Sequence, residues 1–197
     1  MKTLVLCDFD GTLFKKDSFP LFIKFYHGVL KLCFGYLLFS PLIILYYLKI
    51  FDGEKLKKKM FNFYFKNADK ADLEKKGERF LNEALLKNNL LNNALLNTLN
   101  DLKKKGAEIC IVSASLDVWI KPFANHFNYN FLCTELKYIS DTYQGEFLTK
   151  NCNNIEKKTR VMQHYNLRLY DEIIAFGDSG GDKYLMEIAT KKNWIKF

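Results

Sequence analysis

Three short apolar runs without helical period stand out along the chain, at residues 3–7, 107–112 and 172–177. Each has the length and aliphatic character of a strand buried on both faces, as inside a parallel sheet. Between them, apolar positions recur at helical spacing. Leu91, Leu95, Leu99 and Leu102 form one such stripe, closed by Lys103-Lys104-Lys105-Gly106. Cations suit a helix C-terminus and glycine ends it. Further helices are predicted around 116–127, 156–165 and 183–189. Residues 131–147 alternate apolar and polar side chains around Ser140-Asp141, which predicts a hairpin. Residues 194–197 read as a last short strand. Strands alternating with helices predict an α/β fold, a mostly parallel sheet flanked by helices.

Residues 15–90 interrupt this pattern. Asp17-Ser18 reads as a helix start, with Pro20 in the first turn. Residues 19–51 are the most apolar part of the chain, and 32–48 carry no charge. Asp52-Gly53 ends that stretch. A basic helix follows around 54–66, then a polar helix over 71–86. The changes of character near 14–16 and 88–91 predict an inserted α-helical cap, 15–90, in a discontinuous core domain, 1–14 and 91–197. Residues 32–48 are long enough for a membrane span. A single crossing conflicts with a return to the same fold, since 52–106 offers no second span. Three readings stay open: apolar cap core, helices lying on or dipping into a membrane interface, and a true span. Pro41 is expected to kink a long helix there, giving a hairpin-like cap.

Composition narrows the class. The chain has 197 residues, 49% hydrophobic and 26% charged, which is globular and large enough for a domain with an insertion. The net charge is +8, and residues 15–87 carry 15 basic and 8 acidic groups, a balance of +7. That segment should attract a phosphorylated substrate or an anionic membrane surface. Only three arginines occur (Arg79, Arg160, Arg168) and no basic–aromatic motif, so no nucleic-acid partner is expected. Cys7, Cys33, Cys110, Cys133 and Cys152 have no C-x-x-C pairing, which predicts reduced, buried thiols in a cytoplasmic protein. The N-terminus enters a strand directly, so no signal peptide is expected. His27, His126 and His164 lack metal-ligand spacing and read as structural. The oligomeric state has no signal in the sequence.

The three apolar runs end in chemistry. The first ends in Asp8 and Asp10, the second in Ser113, the third in Gly177-Asp178. In a parallel sheet these ends share one edge, where α/β proteins bind ligands. Asp178 and Asp182 flank a Ser-Gly-Gly turn that opens a helix. Up to four carboxylates then converge, and such a cluster repels itself unless a cation sits in it. Oxygen-only ligands suit Mg²⁺. One of the acids can act as a nucleophile on a phosphate, provided that metal and donors neutralise the transferring group. Ser113 offers a hydroxyl, and the Gly11-Thr12 and Ser113-Ala114 turns offer backbone N–H groups at helix starts. Lys157 or Lys158 can add a cation.

DFDGT, IVSAS and GDSGGD, in this order, resemble three motifs of the haloacid-dehalogenase-like (HAD) superfamily of phosphatases, subfamily IB, whose fold is a Rossmann-like α/β core with a cap. The third-motif lysine of that subfamily follows a Cys-x-Gly-x-x-Lys-like pattern. Cys152 to Lys157 fits it, with Asn154 in place of glycine, and this favours Lys157. The resemblance covers the chain apart from the cap. It implies that Asp8 is the nucleophile and forms an aspartyl-phosphate, while Asp10 protonates the leaving oxygen and then activates water. It implies that Asp8, the Asp10 carbonyl and Asp178 hold Mg²⁺. Ser113 and Lys157 would bind the phosphate, with Asp182 and Ser179 in support.

The core resembles phosphoserine phosphatase, but the cap, rich in Phe, Leu, Tyr and Lys, departs from it and offers no Glu/Arg pair for an amino-acid headgroup. The layout, with its long apolar early cap, is loosely similar to the phosphatidylglycerophosphatase C-like branch. That likeness implies a Mg²⁺-dependent phosphomonoesterase acting on a phospholipid headgroup, cytoplasmic and peripheral on the inner membrane face. Alternatives are a soluble phosphatase or phosphotransferase of small metabolites, and a catalytically idle membrane-binding or interaction module.

Overall fold

The computed structural model describes residues 2–86 and 90–197. In chain order the elements are β1 (Thr3–Cys7), α1 (Ser18–His27), α2 (Val29–Tyr47), α3 (Gly53–Phe65), α4 (Lys70–Phe80), α5 (Asn93–Lys104), β2 (Glu108–Leu116), α6 (Asp117–Phe127), β3 (Asn130–Thr134), β4 (Leu136–Ile139), β5 (Thr142–Phe147), α7 (Ile155–His164), β6 (Glu172–Gly177), α8 (Lys183–Glu187) and β7 (Lys191–Trp194). Five strands form one parallel sheet in the order β3-β2-β1-β6-β7. From the central β1 the order runs outward in both directions. The carboxyl end of β1 is therefore a topological switch point, where a crevice opens.

The strand alternation is expressed as two apolar layers. Val5, Cys7, Ile109, Ile111, Ile174 and Phe176 face one side, and Leu4, Leu6, Cys110, Val112, Ile173 and Ala175 the other. The second layer is covered by Val161 of α7 and by Leu185 and Met186 of α8. The first continues without a break into the helices between β1 and β2. Phe22 of α1 meets Trp119 of α6 at 4.8 Å between ring centroids, and Phe61 of α3 meets Tyr143 of β5 edge-on at 5.3 Å. These helices start where short acids cap them: Asp17 accepts from the Phe19 N–H, Asp52 from Lys55, and Asp69 from Asp72.

The departures from the sequence pattern have local causes. Phe131 belongs to β3 in the main sheet, so the hairpin is only β4–β5. Its turn is Ser140-Asp141 as expected, with both φ values positive (47° and 58°), the geometry of a tight hairpin turn. The last strand lies at Lys191–Trp194, not 194–197; backbone pairing with β6 selects this polar edge segment, which its own side chains do not announce. The helix α2 runs through Pro41 as one continuous element, so the hairpin expected there does not form. Proline removes the N–H that would reach the Leu37 carbonyl, and the Ser40 hydroxyl donates to that carbonyl instead, at 2.8 Å. Nor is α2 cap core: of its side-chain positions only Gly35 is buried. Part of the expected cap boundary, 87–89, lies outside the described residues.

Gly77 of α4 marks a close approach of the inserted helices to α6. A Cβ there would stand 1.9 Å from the Val118 carbonyl oxygen of α6. Helix propensity alone favours alanine by ~1 kcal/mol, but overpacking against rigid backbone costs ~1–3 kcal/mol. Gly77→Ala should therefore lower stability in denaturant titration; an unchanged or raised midpoint would contradict this packing.

Asp117, at the start of α6, is half-buried, and its desolvation pushes the carboxyl up to about 7 against the hydrogen bond donated by the Leu136 N–H. A raised folded-state value means that the native state binds the proton more tightly than the unfolded chain. This contribution is present below pH ~4 and is lost as pH rises through ~7. Asp117→Asn keeps an acceptor for Leu136 and removes the titration. It should be more stabilising at pH 8 than at pH 5, by about 1–3 kcal/mol. A pH-independent effect would mean that the acid is not held protonated.

Candidate active site

The carboxyl ends of β1, β2 and β6 open into a cavity of about 820 Å³. Asp8 follows β1 directly, and its N–H is fixed to the Phe176 carbonyl of β6 at 2.9 Å. Ser113 stands in the last part of β2, where the pairing with β3 becomes irregular between Ser113 and Leu116. Asp178 and Ser179 follow β6, and Lys157 comes from the first half of α7. Asp8, Asp10, Gly11, Ser113, Ala114, Lys157, Asp178, Ser179 and Asp182 all line the cavity.

Lys157 is at its centre. Its Nζ lies 2.6 Å from Asp8 Oδ1 and 2.6 Å from Asp182 Oδ1, and all three side chains are almost fully buried. Burial works against the charge on Lys157, but the two carboxylates more than offset it and hold the ammonium above the usual lysine range. Lys158 instead points outward to Glu187. Asp182 also accepts the N–H groups of Asp178 and Ser179, at 3.1 and 3.3 Å. Its oxygens are thus committed to positioning Lys157 and the turn after β6.

Oxygens of Asp8, Asp178 and Asp182 lie within 4.8 Å of one another. One lysine cannot neutralise three acids, so the cluster keeps an excess of negative charge. Burial pushes Asp8 up to about 6, with Lys157 opposing and Asp182 adding to the rise, and burial likewise raises Asp178. Gly11 presses on the same place: a Cβ there would stand 2.4 Å from Asp178 Oδ2, and its φ of 75° favours glycine. An oxygen-only cluster with uncompensated charge fits a hard divalent cation such as Mg²⁺.

Asp10 is held apart from this cluster. Its carboxylate accepts the Ser18 N–H (2.9 Å), the Ser18 hydroxyl (3.0 Å) and the Ser115 hydroxyl. Burial and then the charge of Asp17 push it up to about 7, with the two serines opposing. Such an acid can hold or release a proton near neutrality. The N–H groups expected from the Gly11-Thr12 turn are used within it: Gly11 donates to the Phe14 carbonyl and Thr12 to that of Phe9. Thr12 is fully buried behind the cavity, with its hydroxyl 3.5 Å from Asp178.

Three residues escaped the sequence reading. Ser18 and Ser115 orient Asp10. Ser115 had a signal, since it lies two positions beyond Ser113 in the same strand. Lys57 reaches in from α3 and donates to the Ala114 carbonyl, and burial lowers its proton affinity. Its signal was helical phase: Lys57 shares a face with the buried Met60, Phe61 and Tyr64. Cys7, Cys110, Cys133 and Cys152 are buried free thiols as expected, whereas Cys33 on α2 is exposed because that helix is left uncovered; His27 bonds the Tyr64 carbonyl through its ring.

Comparison with known proteins agrees with this geometry. The chain is 34% identical over 200 residues to Protein CicA of Caulobacter vibrioides, covering 98% of this chain and 86% of that protein. A crystal structure of a protein of unknown function from Bordetella pertussis superposes with a TM-score of 0.83 at 19% identity, over 98% of this chain and 89% of that one. A phosphoserine phosphohydrolase-like protein from Francisella tularensis superposes with a TM-score of 0.67 at 25% identity, over 98% and 86%. The family model for haloacid dehalogenase-like hydrolases matches residues 5–187, and with its parallel sheet, DFDGT turn and buried lysine, the chain belongs to that family.

Proposed function

We propose that the protein is a Mg²⁺-dependent phosphomonoesterase that works through an aspartyl-phosphate on Asp8. The observation that carries this reading is the placement of Asp8 against Lys157, at 2.6 Å, beside an uncompensated acid cluster, in the same cavity as the serine-bound Asp10. An oxygen of Asp8 attacks phosphorus and the bond to the ester oxygen breaks. Asp10 gives its proton to that leaving oxygen. In the second step Asp10 takes a proton from water, whose oxygen attacks the phosphorus of the aspartyl-phosphate and frees inorganic phosphate. Lys157 and the Ser113 hydroxyl hold the phosphoryl oxygens; Ala114 lines the cavity beside them from within β2, not from the helix-start turn expected there. Asp182 and Ser179 hold Lys157 and the turn in place. Asp8, Asp178 and the Asp10 carbonyl are the residues that would hold Mg²⁺, which supplies positive charge to the transferring group.

For substrate we propose an amphiphilic phosphomonoester, a phospholipid headgroup such as phosphatidylglycerophosphate, met on the cytoplasmic side of a membrane. The cavity wall joins Lys15, Lys16 and Lys57 to Tyr36, Ile43, Tyr46 and Tyr47 of α2, cations for a headgroup next to an apolar flank. The described lining contains no arginine to clamp an amino-acid carboxylate. The second reading is a soluble phosphoserine-like substrate, favoured by the likeness to the Francisella tularensis protein. Phosphate release from phosphatidylglycerophosphate in mixed micelles, beside free phosphoserine, separates the two.

Asp8→Asn should abolish turnover of either substrate, by at least about 10³-fold, while leaving the fold intact; substantial residual rate would remove Asp8 from the nucleophile's role. Mg²⁺ should raise the melting temperature of the wild-type protein, because only the folded chain gathers the acids. Asp178→Asn relieves repulsion, so it should melt higher than the metal-free wild type and lose the Mg²⁺ response. An Asp178→Asn protein with the full Mg²⁺ shift would place the cation elsewhere.

A further inference from the structure

The helix α2 is apolar on every face and yet the protein leaves it uncovered. Only 6% of its apolar window is buried. A helix of this kind is ordinarily enclosed by protein or by lipid. One side does pack. Gly35 admits Tyr64, whose hydroxyl donates to the Leu32 carbonyl at 3.0 Å, and the ring of Phe63 of α3 meets Phe34 at a tilt and Phe39 edge-on. Away from that contact, Leu30, Leu37, Pro41 and Ile44 are exposed at intervals of seven, four and three, on one side of the helix. Leu30 is 84% exposed, Leu37 73% and Ile44 59%. Exposed apolar surface on this scale marks a contact with something apolar.

Charge selects the occupant. No Asp or Glu occurs from residue 18 to residue 51, whereas Lys24 in the last turn of α1 and Lys31 in the first turn of α2 precede the apolar stretch and Lys49 follows it. All three are exposed, and none is in a salt bridge among the described residues. A second copy laid on this face would bring lysines to lysines with no acid from the helix to pair them. An anionic lipid surface answers both features, hydrocarbon for the exposed apolar side and headgroups for the lysines.

Topology selects the orientation. Among the described residues α2 alone is long and apolar enough to cross a bilayer. The chain before it forms β1 and the chain after it forms β2, neighbours in one sheet. One crossing would put those strands on opposite sides of the membrane, so α2 can only lie along the surface. We infer that α2 is a monotopic docking helix that seats the protein on an anionic phospholipid bilayer with the active-site mouth beside the lipid. The mouth follows because Tyr36, Ile43, Tyr46 and Tyr47 of the same helix line the cavity that holds Asp8. The docking rests on the helix and its lysines and does not require the phosphatase reading; the orientation of the mouth deepens that reading.

Flotation with vesicles tests it, using phosphatidylcholine alone and phosphatidylcholine with phosphatidylglycerol. The full chain should float with the mixed vesicles, less so in high salt. Leu37→Glu/Ile44→Glu changes two exposed residues outside the cavity. It should melt as the wild type does and lose at least about tenfold in partitioning. Lys31→Ala/Lys49→Ala should weaken binding to the mixed vesicles by about fivefold per lysine and change little on phosphatidylcholine alone. Asp8→Asn should float as the wild type whatever its turnover, so the two readings fail separately. Absence of wild-type flotation would overturn the inference, as would equal flotation of the glutamate variant. A lipid-free dimer that the glutamate variant dissociates, without vesicle binding, would assign the face to a second copy. Loss of flotation in Asp8→Asn would move the lipid contact into the catalytic cavity.

Discussion

The buried ammonium of Lys157 is the group on which the rest of the site depends. A parallel sheet with its switch point at β1 gathers acids at one edge, and without a cation among them that edge would be unstable in its charged form. Lys157 stands between Asp8 and Asp182 and holds both. Asp182 in turn fixes the N–H groups of Asp178 and Ser179, so the loop after β6 is organised through the same charge. The electrostatics are deliberately incomplete. One cation among three carboxylates leaves negative charge that a divalent metal would balance. Asp10, tied to Ser18 and Ser115, stands outside that cluster.

Much of this was legible in the residues. The central strands were visible as short aperiodic apolar runs, because burial on both faces leaves no other pattern. Their polar ends identified Asp8, Asp10, Ser113 and Asp178, because a parallel sheet sends all its carboxyl ends to one edge. Lys157 was separable from Lys158 only through its spacing from Cys152, and the structure gives the physical reason: one helix position turns inward and the next outward. Ser18 was hidden because its contact with Asp10 depends on how α1 enters the fold. The use of the Gly11 and Thr12 N–H groups inside their own turn was hidden because it depends on φ and ψ in that turn.

The apolar stretch was the least legible part, for a reason its composition makes plain. A helix apolar on all sides carries no phase, so no face announces its partner. Pro41 misled in the same way. The lost hydrogen bond is a fixed consequence of proline, but whether the helix breaks depends on what takes up the orphaned carbonyl, and Ser40 does so locally. The edge strand β7 was misplaced by a few residues because pairing with β6 decided its position.

The aromatic contacts between the inserted helices and the sheet layer have a practical consequence for protein engineering. Phe22 and Phe80 both rest on Trp119, Phe61 rests on Tyr143, and Phe9 and Phe14 stack beneath, within one apolar cluster that no seam divides. Excision of the insertion would leave Trp119 and its neighbours wet, and a transplanted insertion would bring rings cut for a different floor. A chimera that exchanges this segment between relatives has to carry the α6 surface with it, because the unit of inheritance here is the shared aromatic layer and not the insertion alone.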